Sequence, residues 1–124
     1  MERNWDTIRE ILTLFEEVTT EKGALRLSNF AGERADEISY HMELLIERGL
    51  VYGQMSKTLG RGPHDFIAAR LTWEGHELLD VIRNNSVWQK TKKSFASKGL
   101  SMTFDLVKSV ATEIAASILK STID

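Results

Sequence analysis

Apolar residues recur three and four positions apart over residues 4–20, where Trp5, Ile8, Ile11, Leu12, Phe15 and Val18 form one stripe. Arg9, Glu10, Glu16 and Glu17 lie off it, so the spacing predicts an amphipathic helix. Asn4 is placed to cap that helix and Lys22-Gly23 to stop it. Over 24–30 the pattern changes to partial alternation, which predicts a short strand. A second helix is predicted over 33–48, with Ala35, Ile38, Met42 and Leu45 inward and Leu44 and Ile46 flanking. His41 sits beside that stripe as a packing residue. Gly49 stands where a left-handed residue closes a helix.

Residues 50–55 and Phe66–Leu71 read as two strands. The segment 56–65 between them holds three glycines or prolines and reads as an exposed loop. Thr72 is placed to cap a third helix, with Glu74 in its first turn and Leu78, Leu79 and Ile82 inward. Asn84-Asn85-Ser86 should break it. Ser86 then caps a fourth helix carrying Val87, Trp88, Thr91 and Phe95, which Gly99 ends. A last helix covers 101–121. The expected fold class is therefore mainly α with a small β-wing (α+β), with a body at 1–85 and a C-terminal helical extension at 86–124 packed on it as one structural unit.

Composition adds limits. The chain has 124 residues, 42% of them apolar, and no cysteine, which removes disulfides and thiolate zinc sites from consideration. Residues 1–15 mix charges with apolar positions, unlike a signal peptide, and no apolar run is long enough to span a bilayer, so a cytoplasmic location without membrane contact is expected. The net charge of −2 conceals an asymmetry. Residues 1–50 hold six Lys/Arg against eleven Asp/Glu, while 51–100 hold eight against four.

Two stretches carry a resemblance. Glu37-Ile38-Ser39-Tyr40-His41-Met42-Glu43-Leu44-Leu45-Ile46-Glu47-Arg48-Gly49-Leu50-Val51 resembles the recognition helix of winged-helix repressors and its run into the first wing strand. Arg70-Leu71-Thr72-Trp73-Glu74-Gly75-His76-Glu77-Leu78-Leu79 is similar to the start of the helix after the wing in repressors of the multiple-antibiotic-resistance type. Nearly the whole chain is also similar to a family of short bacterial and phage proteins of unknown function, marked by Leu-Thr-Trp-Glu-Gly-His-Glu and the following Ile82-Arg83-Asn84. The resemblance implies a winged-helix domain and a link to mobile elements, and it implies no activity. Where a helix-turn-helix has its separate helper helix, this chain reads as strand plus turn.

The chemistry follows from the charges. The solvent side of the second helix would present Glu33, Asp36, Glu37, Tyr40, Glu43 and Glu47, which opposes a phosphate backbone and suits a protein partner. The alternative is duplex DNA bound through Lys57, Arg61, His64 and Arg70 around the wing, with Lys90, Lys92 and Lys93 beyond it. Phe104, Val107, Ala111, Ile114 and Ile118 follow the spacing of a helix-packing seam and suit a homodimer, the competing expectation being that they fold back on the first helix. No catalytic set is apparent. Gly60-Arg61-Gly62 lacks the lysine of a phosphate-binding loop, and His76 with Asp80 lacks a third metal ligand, so no enzyme, metal or cofactor is expected.

Overall fold

A computed structural model describes residues 1–17, 23–57 and 60–121. It is mainly helical with a small antiparallel sheet. The chain divides into two compact units, 1–76 and 77–124, with the division inside a helix.

In the first unit, α1 (Trp5–Glu17) is followed by 3-10 turns at Leu27–Asn29 and Gly32–Arg34, and then by α2 (Ala35–Arg48), β1 (Val51–Met55) and β2 (Phe66–Leu71). Asn4 caps α1 as expected, its Oδ1 accepting from the N–H groups of Asp6 (2.9 Å) and Thr7 (3.2 Å). The expected end of this helix, including Val18, Thr20 and Lys22, lies outside the described residues. Ile8, Ile11 and Leu12 of α1, Ile38, Met42 and Leu45 of α2, and Val51, Phe66, Ala68 and Leu71 of the hairpin are all buried. The apolar stripes therefore mark the core faces, and alternation along each strand puts one side of the hairpin inward.

The strand expected over 24–30 shrinks to one residue. Leu25 exchanges backbone bonds with Ala68 on the outer edge of β2 (2.8 and 3.0 Å). After it, Asn29 Oδ1 accepts from Arg26 N–H at 2.7 Å and closes a 3-10 turn. A side-chain acceptor thus takes the backbone donor that a ladder would need.

His41 does more than pack. It is 1% exposed, its Nε2 accepts from Asn4 N–H (2.7 Å), and its Nδ1 lies 2.7 Å from the Glu37 carbonyl. These partners require the neutral Nδ1–H tautomer and join the start of the chain to α2. Beside it, Arg34 uses its whole fork. Its guanidinium donates twice to Glu10 (2.6 and 3.0 Å) and twice to Glu37 (3.1 and 2.8 Å), and Thr7 Oγ1 donates to Glu37 at 2.5 Å. Hydrogen bonds from Arg34 and then Thr7 hold the Glu37 carboxyl down to about 2. The same carboxylates raise the Arg34 guanidinium above its usual value.

The end of α2, the hairpin and the next helix, α3 (Trp73–Ile82), meet at one point. Gly49 closes α2 in the left-handed region (φ 81). Thr72 N–H donates to Leu50 O (3.0 Å), Thr72 Oγ1 donates to Gly49 O (2.6 Å), and Gly75 N–H donates back to Thr72 Oγ1 (3.1 Å). Gly75 presses so closely here that a Cβ would stand 2.1 Å from the Leu50 carbonyl oxygen.

The second unit holds the end of α3, then α4 (Asn85–Lys98) and α5 (Phe104–Ser121). Asn84, not Ser86, caps α4, accepting from Val87 N–H at 3.0 Å. Ser86 falls inside the first turn. Val87, Trp88, Thr91 and Phe95 are buried as the spacing predicts. Residues 101–103 stay outside α5, and Thr103 Oγ1 accepts from Leu106 N–H (3.2 Å) at its start. The two helices pack on each other.

Two predictions follow from these contacts. Gly75→Ala should lower stability by about 2 kcal/mol or more in urea unfolding, because the obstacle is backbone. Gly32→Ala, whose Cβ would meet nothing within 4 Å, should stay within about 0.5 kcal/mol of the parent. The second concerns acid. Glu37 titrates lower in the folded chain than in the unfolded one, so its contribution is complete above about pH 5 and fades as pH falls towards 2. Glu37→Gln should flatten the stability profile between those limits, and an unchanged slope would contradict the assignment.

Candidate interaction faces of the first unit

The second helix offers three carboxylates to solvent. Asp36, Glu43 and Glu47 are exposed at intervals of seven and four residues, which places them on one side of α2, with Tyr40 half-buried between them. Among the described residues these three enter no ion pair. Glu33 is exposed one turn earlier. Glu37 differs from the others, since its carboxyl is taken up by Arg34 and Thr7 and faces α1. The Tyr40 ring is set edge-on to His41 (centroids 5.3 Å apart, 86°), which fixes its place on the stripe.

The loop between the strands does not stand away from α2. Ser39 Oγ donates to the His64 carbonyl (2.8 Å) and accepts from His64 N–H (2.9 Å), and Ser39 is 5% exposed. At its base, Ser56 N–H donates to Asp65 O at 2.8 Å. The Asp65 carboxylate accepts from the N–H groups of Leu27 (2.9 Å) and Phe66 (2.8 Å), and these bonds hold it below the usual carboxylate range. Between loop and helix lies an open groove of about 300 Å³, walled by Asp36, Tyr40 and Glu43 on one side and by Gly62, Pro63 and His64 on the other, with Met1 at its edge. Spacing along the sequence gave no sign of this groove, because the Ser39–His64 contact joins residues 25 positions apart.

Cations gather on the hairpin instead. Lys57 and Arg61 are exposed on the loop. Arg70, opposite Tyr52 in the strand register, sets its guanidinium 4.1 Å over the Tyr52 ring. Lys90, Lys92 and Lys93 belong to the second unit. Lys90 and Lys93 are exposed, while Lys92 is half-buried with its ammonium 5.8 Å from the Trp88 ring centroid. Trp88 and Phe95 are core residues, 0% and 4% exposed.

Of the helix-packing seam on α5, Val107 and Ala111 are fully buried within the single chain, and Phe104, Ile114 and Ile118 are half-buried. His76 and Asp80 are both exposed on α3, and Asp80 accepts from Arg83 at 2.9 Å. Among the described residues no three His, Cys, Asp or Glu converge to hold a metal, and no helix is long and apolar enough to cross a membrane.

Trp73 escaped notice in the sequence except as part of a motif. It is 80% exposed at the start of α3, and Tyr52 and Ile67 are about half exposed (52% and 47%) on the hairpin. A tryptophan on an amphipathic helix usually signals core, and its neighbours Leu71 and Leu78 gave no contrary hint.

Comparison with known proteins gives a family and no activity. A family described as "Hypothetical protein (DUF2513)" matches residues 2–101. An uncharacterized protein of Haemophilus influenzae (strain ATCC 51907 / DSM 11121 / KW20 / Rd) is 40% identical over 119 residues, spanning 96% of this chain and 99% of that protein. No solved structure matches. With four-fifths of its length matched by the family and a relative aligned almost end to end, the chain belongs to the DUF2513 family.

Proposed function

We propose that this chain is a non-enzymatic winged-helix module that acts by binding another protein through the acidic face of α2. The order α1, Leu25 bridge, α2, β1, loop, β2, with Leu25 on the outer edge of β2, supports the winged-helix reading. In place of a helper helix it has two 3-10 turns.

The observation that carries the function is the exposed row Asp36, Glu43 and Glu47 around Tyr40, where a DNA reader would carry cations. Arg34, the cation at the start of this helix, is spent on Glu10 and Glu37. The fitting partner presents a basic surface, with Tyr40 as the aromatic anchor and the carboxylates guiding approach. Resemblance to short phage and bacterial proteins makes an accessory factor that blocks or redirects a host complex the natural setting.

A second reading, a transcription regulator that binds duplex DNA, is favoured by the exposed Lys57 and Arg61 on the loop. The two readings separate in one pair of measurements. A partner captured by the full chain and then purified should bind it directly, and Glu43→Lys with Asp36→Lys should weaken that complex about tenfold or more at unchanged melting temperature. Equal affinity after charge reversal would remove α2 from the interface. In a gel-shift titration with duplex, any binding should fall steeply with salt and be weakened more by Arg61→Ala than by Tyr40→Ala. The reverse ranking would make α2 a DNA-reading helix and overturn the protein-partner reading.

A further inference from the structure

The hairpin has a solvent side of its own, on the face away from the core. Tyr52, Gln54, Ile67, Ala69 and Arg70 are exposed there, and none is acidic. The strand register pairs Tyr52 with Arg70, and the guanidinium lies 4.1 Å over the phenol ring, so cation and ring are already ordered against each other. Three residues beyond Arg70 stands Trp73, 80% exposed, while Trp5 and Trp88 are buried (7% and 0%). The loop adds the exposed cations Lys57 and Arg61. The hairpin's one carboxylate, Asp65, is directed at the amides of Leu27 and Phe66. The nearby Glu74 is paired with Arg48 at 3.3 Å.

We propose that this outward face of the hairpin, with Trp73, binds single-stranded nucleic acid. Phosphates run along Arg70, Lys57 and Arg61, and unpaired bases stack on Trp73 and beside the Tyr52–Arg70 pair. Three candidate ligands share the required negative charge, and the rings choose between them. A polyacidic peptide offers carboxylates to the cations but no π-face to the exposed rings of Trp73 and Tyr52. A duplex keeps its base faces covered by stacking, so the exposed rings meet none of them. A single strand is narrow and offers a π-face at every nucleotide, so it uses both features. This site is separate from the acidic face of α2, and its test does not depend on the protein-partner reading.

The experiment is a fluorescence and anisotropy titration of the full chain at low salt with labelled oligo-thymidine, the corresponding duplex, and poly-glutamate. Oligo-thymidine should bind most tightly and quench tryptophan emission. Trp73→Ala should weaken it about tenfold, while Trp73→Phe retains most of the affinity. Arg70→Gln should weaken it and reduce the steepness of the salt dependence. Emission from the buried Trp5 and Trp88, with the melting temperature, verifies that each variant is folded. Failure to bind oligo-thymidine, equal or tighter binding of duplex or poly-glutamate, or full affinity in Trp73→Ala would each overturn the assignment.

Discussion

The end of α2, the hairpin and the start of α3 are all referred to the carbonyl of Leu50. Its oxygen accepts the Thr72 N–H, and Gly75 lies so close that no side chain fits between them. The end of α2, the base of the hairpin and the start of α3 are held within a few ångströms by that approach. A second clasp, Ser39 on His64, fixes the far end of the hairpin. Between these points the hairpin cannot swing against α2 without breaking backbone-directed bonds, each costly to leave unmade when buried. The groove beside Tyr40 is therefore shaped by the fold itself.

Much of the fold could be read in advance, for local reasons. Helix faces, the Gly49 stop, the Thr72 cap and the span of β2 each depend on residues within a turn or two of one another. What could not be read depends on distant pairs. Arg34 reaches Glu10 from 24 residues away and Thr7 reaches Glu37 from 30, and no periodicity reports either pair. Glu37 looked equivalent to Asp36 and Glu43 for that reason, though its side chain turns to α1. The error over 24–30 has a local cause, since Asn29 can serve a turn or end a strand and only the paired backbone decides. The pattern points to Ser86 as the cap of α4, but the oxygen that reaches Val87 N–H belongs to Asn84, two residues earlier.

The charge asymmetry of the sequence becomes spatial in the first unit. Asp36, Glu43 and Glu47 are exposed on α2, Lys57, Arg61 and the Arg70–Tyr52 pair are exposed on the hairpin, and the internal networks consume the charges that would blur the division. Arg34 is lost to the acidic side and Asp65 to the basic side by hydrogen bonds made within the fold. A nearly neutral protein can thus expose charge of opposite sign on neighbouring elements.

The bond from Asn4 N–H to His41 has one practical consequence. It directs the first residues of the chain along α2, so that Met1 arrives at the edge of the groove beside Asp36 and Tyr40. Whatever precedes Met1, natural extension or affinity tag, leaves the molecule at that mouth and competes for the space in front of Tyr40.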